Sequence, residues 1–238
     1  MPHALHQVKT RAAENLSARV YKQIKNLILS NEVMPGQKLH HQQLSERLSV
    51  SRTPVREALT RLAQDGYVSL LPNRGFTCKE IRMQEAEELY DLREAMEAFA
   101  VEKATAHLTQ AALEQLRRKI DCYGEDVHKH FSRERLVYDQ DVHLEIAQLT
   151  CNETLKNFLR HVFERIVLKR RTDGPYDQAR GVAAHQEHLR LLEAMERRNV
   201  EEAVRVIRAH VQEGKSNAIS DLRQRQAIRD LRVSETID

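Results

Sequence analysis

The chain has 238 residues, 41% of them hydrophobic and 31% charged, and a net charge of +3, values typical of a globular protein with one or two domains. Its 7 glycines and 5 prolines are too few for the many turns of a β-sandwich or barrel, so the composition favours long helices. No apolar run reaches the roughly 18 residues that a membrane span needs, which excludes a membrane-embedded protein.

Cysteine usage and the N-terminus indicate the compartment. Cys78, Cys122 and Cys151 are odd in number and widely spaced, which predicts neither a disulfide framework nor a cysteine zinc site. The polar residues 1–14 lack the apolar core of a signal peptide, and we interpret them as a flexible tail. We therefore expect a cytoplasmic protein.

Positive charge is concentrated in the N-terminal third. Residues 1–80 contain 12 Lys and Arg against 6 Asp and Glu, whereas residues 81–238 contain 26 against 29. A basic module followed by a near-neutral remainder indicates a polyanion-binding domain joined to a second domain. The alternative interpretation is a basic face that is simply solvated.

The basic module has the pattern of three helices followed by a β-hairpin. Apolar residues recur every four positions from Leu16 to Ile28, and Pro35-Gly36 ends this first helix. A short second helix carries Leu44 and Leu48. A third helix opens at Arg52-Thr53-Pro54, with Ser51 or Thr53 as its cap. Two β-prone runs around the turn 72–75 predict a hairpin, or wing.

The third helix predicts DNA binding. Val55, Leu59 and Leu62 form its buried stripe, so Arg52 and Arg56 face outward at its N-terminal end. Recognition helices present base-reading side chains from that end, and arginine binds guanine or phosphate.

The motifs of this module carry a family resemblance. Leu44-Ser45-Glu46-Arg47-Leu48, the run from Val50 to Leu59, and Arg74-Gly75-Phe76 resemble the winged helix-turn-helix of the GntR family of bacterial transcription regulators. The resemblance implies that residues of the second helix, the third helix and the wing bind double-stranded operator DNA. These residues are Gln42, Ser51, Arg52, Thr53, Arg56, Arg74 and Gly75.

The rest of the chain predicts an all-α antiparallel bundle, so the fold class is mainly α. The first helix begins near Met83 with Leu89, Leu92 and Phe99 among its apolar face, and later helices begin at Thr109, Ser132 and Asn152. A loop is predicted around Thr172, Gly174 and Pro175, followed by two more helices. The expected segments are a tail (1–14), the winged helix-turn-helix (15–80), the bundle (81–225) and a charged C-terminal tail (226–238).

Four residues of the bundle have a pattern typical of a metal site. Asp139 and His143 are four positions apart and share a helix face, while His188 and His210 lie on the apolar stripes of the last two helices. Three imidazoles and a carboxylate in a bundle core suit a divalent ion. A single histidine is more often an ordinary core or surface residue, and we interpret the remaining bundle histidines in that way: His107, His128, His130, His161 and His185.

The same segments resemble the FCD effector domain, which follows the winged helix in the FadR subfamily of GntR regulators. The resemblance rests on Asp139–His143, Glu187-His188 and Arg208-Ala209-His210. It implies that Asp139, His143, His188 and His210 bind a divalent metal ion, either zinc, nickel or manganese. Arg93 matches an arginine that faces the effector cavity in this family.

The combined interpretation is a homodimeric regulator, expected to be a repressor, that binds a palindromic operator and a small organic acid effector. The segment Lys79–Arg82 is the expected hinge between the domains. Three other interpretations stay open. The metal itself could be the signal, the bundle could serve only to dimerise an architectural DNA-binding protein, or the metal could activate water in an enzyme. We expect no enzyme, because no general base, nucleophile elbow or phosphate loop is evident.

Overall fold

The computed structural model describes residues 2–72, 74–130, 135–168 and 178–234, with backbone alone for residues 2–15, 130, 225 and 228–234. The chain divides into two compact units. Among the described residues, the first contains the chain up to Ile81 together with Val167 and Leu168, and the second contains Arg82–Ile166 and the residues from Gln178 onward. Within the described residues, no helix is long and apolar enough to cross a membrane.

The N-terminal unit is a winged helix-turn-helix, as predicted. Its helices are α1 (Pro2–Leu29), α2 (His41–Leu48) and α3 (Arg52–Gln64), and α3 packs against both α1 and α2. The core comes from the predicted apolar stripes of α1 and α3, all almost fully buried: Val20, Ile24, Ile28, Val55, Leu59 and Leu62.

A three-stranded antiparallel sheet completes this unit. The predicted wing is β2 (Val68–Leu71) and β3 (Gly75–Cys78), and a short strand β1 (Lys38–Leu39) pairs with the other edge of β3. Strand β1 was not predicted, because two residues are too few for an alternating pattern. Gly75 has a φ of +77°, a conformation that other residues rarely adopt, so the tip of the wing requires glycine.

Two features at the helix starts differ from the predictions. Helix α1 begins at Pro2, so residues 2–14 continue the helix instead of forming a separate tail. This segment is rich in alanine and lacks glycine, and proline suits the first helical turn. Ser51 does occupy the N-cap of α3, but its side chain makes no capping hydrogen bond.

The C-terminal unit is a helical bundle. Helix α4 packs most extensively against α9, α8 packs against α9 and α5, and α6 packs against α4 and α5. A π-helical turn, Asp126–His130, follows α5. The helices are α4 (Met83–Ala106), α5 (Gln110–Glu125), α6 (Arg135–Leu149), α7 (Glu153–Val167), α8 (Gln178–Glu196) and α9 (Val200–Ser234).

Side chains cap the starts of several bundle helices. The Thr109 hydroxyl accepts a hydrogen bond from the Ala112 backbone N–H at 3.2 Å, and the Asn152 side chain accepts one from Leu155 at 3.0 Å. These residues lie at the predicted helix starts, since such caps satisfy backbone donors that the first turn leaves free. The predicted start at Ser132 and the predicted loop at 172–175 lie outside the described residues. Helix α9 extends to Ser234, past the predicted start of the C-terminal tail at 226.

The corner between α8 and α9 is fixed to the end of α4. Arg198 has a φ of +54°, and its guanidinium donates to the carbonyl oxygens of Thr105, Ala106 and Leu108 at 3.3, 2.9 and 2.6 Å. Asn199 then caps α9 by accepting a hydrogen bond from the Glu202 backbone N–H at 3.1 Å.

The predicted apolar face of α4 is partly wrong. Leu92 and Phe99 are 49% and 44% exposed. The buried face passes instead through Leu89, Arg93 and Glu97, together with small residues such as Ala100. Arg93 and Glu97 can occupy this buried face because they pair with each other. A pattern of hydrophobic residues therefore does not identify the face as buried.

Candidate functional site

A basic groove runs between the start of α3 and the wing. Arg52 and Arg56 are exposed on α3 and line the groove together with Gln42, Arg74 and Gly75, so five of the seven predicted DNA-binding residues lie together. Ser51 and Thr53 are exposed at the same end of α3 but do not line the groove.

Other groove residues were not anticipated from the sequence. Lys38, His40 and His41 line the same groove, because β1 brings the segment before α2 alongside the wing. The ring of His41 packs edge-on against Phe76 with their centroids 5.4 Å apart. The described side chains that line the groove include cations and no carboxylate, so its chemistry suits the phosphates and base edges of a nucleic acid.

The second site is a buried cluster of Asp139, His143, His188 and His210. Helix α6 supplies the first two residues, α8 the third and α9 the fourth, and one ligand atom from each lies within 4.8 Å of all the others. Asp139 Oδ1 is 3.8 Å from His143 Nε2 and 3.6 Å from His188 Nε2. The three imidazoles are 5% exposed or less. The structure therefore brings together the four residues that the spacing and the resemblance selected.

The donor set fits a divalent metal ion. Both ring nitrogens of His188 are buried without a hydrogen-bond partner among the described residues. Leaving such groups without a partner is unfavourable, and a bound cation would provide one. Ligand atoms on one tetrahedral ion lie about 3.3 Å apart. The ligand atoms here lie within 4.8 Å of one another, so the side chains would close inward on a bound ion. Imidazole with carboxylate suits zinc, nickel or manganese.

Two buried carboxylates orient the outer histidines of the cluster. Glu97 Oε2 lies 2.5 Å from Nδ1 of His143, and Glu187 Oε2 lies 2.7 Å from Nδ1 of His210. Each contact holds the ring through Nδ1 and leaves Nε2 for the centre of the cluster, an arrangement common around bound metals. Neither carboxylate was assigned a role from the sequence: Glu187 was named only as part of the FCD resemblance, and Glu97 was not singled out. Both contacts join different helices, so no local spacing indicates them.

Arg93, the predicted effector residue, lies within this cluster. The residue is 4% exposed, and its guanidinium donates through Nε to Glu97 and places Nη2 3.0 Å from Nε2 of His143. The Phe163 ring lies beneath it, with 4.5 Å between the guanidinium carbon and the ring centroid. A metal ion on His143 Nε2 would compete with Arg93 for the same lone pair. The arginine and the ion therefore cannot both contact this nitrogen at the same time.

The charges of the cluster favour ionised carboxylates. Burial by itself raises the pKa of Glu97, but the neighbouring Arg93 and His143 outweigh burial and lower it to about 2. The pKa of Asp139 is also well below its ordinary value, because hydrogen bonding and nearby positive charge outweigh its burial. Burial and the neighbouring His210 lower the pKa of His188, which keeps its imidazole neutral and able to bind a cation.

Comparison with known proteins gives matches over both units. Residues 16–78 match the family described as "Bacterial regulatory proteins, gntR family", and residues 88–213 match the FCD domain. The Nta operon transcriptional regulator of Aminobacter aminovorans is 30% identical over 78% of this chain and 86% of its own length. The transcriptional repressor RspR of Escherichia coli is 23% identical over 92% of this chain and 95% of its own length.

Solved structures share the fold. Escherichia coli McbR/YncC superposes with a TM-score of 0.74 at 22% identity, covering 86% of this chain and 97% of its own. A transcriptional regulator from Rhodococcus sp. RHA1 superposes with a TM-score of 0.69 at 21% identity, covering 86% and 97%.

Proposed function

Because the chain belongs to the GntR family of bacterial transcription regulators and carries an FCD domain, we propose that it is a metal-dependent, effector-responsive member of the FadR subfamily. Membership of this family makes it a DNA-binding regulator and not an enzyme. In our proposal a homodimer binds a palindromic operator as a repressor, with one α3 helix per half-site.

One observation carries the metal in this proposal. His188 is fully buried with both ring nitrogens unpartnered, while His143 and His210 on either side are oriented by Glu97 and Glu187. An ordinary core histidine has its nitrogens satisfied by hydrogen bonds. Three imidazoles gathered around one carboxylate, with both nitrogens of His188 unpartnered and Nε2 of His143 in contact with Arg93 alone, are the arrangement expected for the ligands of a divalent ion.

The effector follows from the charges around the ion. A bound cation next to Arg93 makes a positive cavity, so we propose a small organic acid whose carboxylate binds the ion and pairs with the guanidinium. A neutral molecule would gain little from either charge. Arg93 would then exchange its contact with His143 for the effector.

The response requires the effector to bind one arrangement of the dimer better than another. His210 on α9 and Arg93 on α4 belong to the most extensively packed helix pair of the bundle, so a ligand between them acts on that pair directly. The segment Lys79–Arg82 leads from the wing into α4 and is the proposed hinge.

Elemental analysis and DNA binding test this proposal together. Wild type should retain the ion at the cluster, His188→Ala should lose it, and His107→Ala, at an exposed histidine after α4, should keep it. Acetate, succinate and citrate are then added to the metal-loaded protein on DNA from upstream of its own gene. A change in DNA affinity with an acid in wild type, absent in His188→Ala, supports the proposal. Equal metal content in all three proteins would refute the site.

A second candidate function is a metal sensor. The cluster supplies four protein ligands, which already complete a tetrahedral zinc site and leave no position for an acid. In that case the metal alone changes DNA affinity, and none of the three acids adds to the effect. The same titration therefore separates the two candidates.

A further inference from the structure

A second pair of histidines lies outside the buried cluster. His128 is on the π-helical turn after α5 and His185 is on α8. His128 Nε2 and His185 Nδ1 face each other at 3.3 Å, and the ring centroids are 5.4 Å apart. From the sequence, both residues were predicted to be ordinary core or surface histidines. Neither residue belongs to the basic groove or to the buried cluster, so neither site accounts for their facing nitrogens.

Packing from three elements holds this pair in place. The His185 ring rests on the backbone of α5 at Gly124, where an added Cβ would come within 2.3 Å of Nε2. The π-helical turn is anchored by Val127, which packs with Tyr123 and Ala184 in a small core. The side chain of Gln178 donates to the carbonyl oxygen of Val127 at 3.2 Å. The two imidazoles are therefore positioned by the fold.

The separation of the two nitrogens fits two explanations. A hydrogen bond between neutral imidazoles is one of them, and 3.3 Å is at the long end of its range. Two imidazole nitrogens that are each about 2.0–2.1 Å from one tetrahedral ion lie about 3.3 Å apart. The observed distance matches the second geometry.

The electrostatic surroundings agree with this geometry. Burial and the charge of His128 lower the pKa of His185, against an opposing effect of Asp121 on α5. A lowered pKa favours the neutral imidazole, which is the form that binds a metal ion. Asp121 also places negative charge near the pair.

We propose that His128 and His185 form an outer binding site for an imidazole-preferring divalent ion (zinc, nickel or copper), with water as the remaining ligands. This site goes beyond the proposed function, since it shares no ligand with the buried cluster. With two protein ligands it binds more weakly than a four-ligand site. Half exposed, it can exchange its ion with the surroundings.

Zinc binding to protein without a polyhistidine tag tests the outer site. Equilibrium dialysis against Zn²⁺ should give two ions per chain for wild type, one tight and one weak. His128→Gln should lose the weak ion and keep the tight one; His128 is exposed, so this change leaves the core intact. His188→Ala should do the reverse, which keeps failure of the outer site distinguishable from failure of the buried cluster.

Two further variants complete the test. His107→Ala removes an exposed histidine elsewhere in the bundle and should leave both ions bound. Gly124→Ala removes no ligand, but it pushes the His185 ring aside and should weaken the outer ion alone. If His128→Gln binds zinc with the wild-type stoichiometry and affinity, the two imidazoles only share a hydrogen bond and the proposal is wrong.

Discussion

Glu187 Oε2 lies 2.7 Å from Nδ1 of His210 although the two residues are on different helices. The same carboxylate is held from its other side by the Arg180 guanidinium, through two hydrogen bonds of 2.9 and 2.8 Å. A chain of contacts thus runs from the start of α8 to a proposed metal ligand on α9. In our proposal the Glu187 carboxylate fixes the ring orientation of His210 and is not itself a ligand of the ion.

Glu187→Gln should therefore weaken metal binding without removing a ligand. Losing the charge of an orienting carboxylate typically costs about 10–100-fold in affinity. The measurement is competition for Zn²⁺ with a chelator of known affinity. Glu193→Gln, at an exposed residue of the same helix, is the matched control and should bind as wild type does. Identical affinities for both variants would show that Glu187 is a structural residue only.

Arg56→Ala should weaken operator binding and leave the fold unchanged, because the side chain is exposed in the basic groove. A base-specific arginine contact contributes about 1–3 kcal/mol, which corresponds to roughly 5- to 150-fold in affinity. Binding is measured on a duplex that the wild-type protein selects from a random pool. Arg118→Ala removes an exposed positive charge from α5 and controls for net charge. Wild-type affinity in the double variant Arg52→Ala, Arg56→Ala would overturn the assignment of α3.

Metal binding should raise the thermal stability of the protein. An ion at 100 times its Kd stabilises the folded state by about 2.7 kcal/mol. For a chain of this size, that corresponds to a rise in Tm of about 5–10 °C. Calorimetry with Zn²⁺ and then with excess chelator checks the rise and its reversal. His210→Ala should lack most of this rise, and an equal rise in that variant would place the stabilising ion elsewhere.

Thiol reactivity should separate the three cysteines. Burial raises the pKa of Cys78 to about 12, so its thiol stays protonated at neutral pH and does not react, because the thiolate is the nucleophile. Cys122 and Cys151 are exposed. A chromogenic disulfide reagent at pH 8 should therefore titrate two thiols in the native protein and three after denaturation. Three fast thiols in the native state would show that the β3 edge opens readily.

The N-terminal unit could be predicted almost completely because its signals are local. The proline and the arginines at the start of α3, its apolar stripe and the turn before Gly75 are all contained in short segments. Strand β1 escaped prediction, since it depends on a distant partner, β3, to form at all.

The buried cluster was predictable only in part. Its four proposed ligands have recognisable residue types and spacing. In the sequence, Glu97 and Glu187 resemble the charged residues of any helix surface. The helix period places Glu97 on the same face as Arg93, yet only tertiary packing makes that face the inner one. For the same reason Leu92 and Phe99 were assigned to the wrong side of α4. Hydrophobicity identifies a buried face poorly where paired charges occupy it.

The anchoring of Arg198 to the end of α4 makes the α8–α9 corner a fixed pivot. Helix α9 leaves this pivot and reaches His210 roughly 18 Å along its axis, at 1.5 Å of rise per residue. A rigid helix that turns about one end moves little near that end and progressively more beyond it. Because α9 also packs along α4, a small tilt at this corner would move the two helices together, and the residues beyond His210 would move farthest. The C-terminal half of α9 is therefore the part of this helix whose position is most sensitive to a change at the α8–α9 corner.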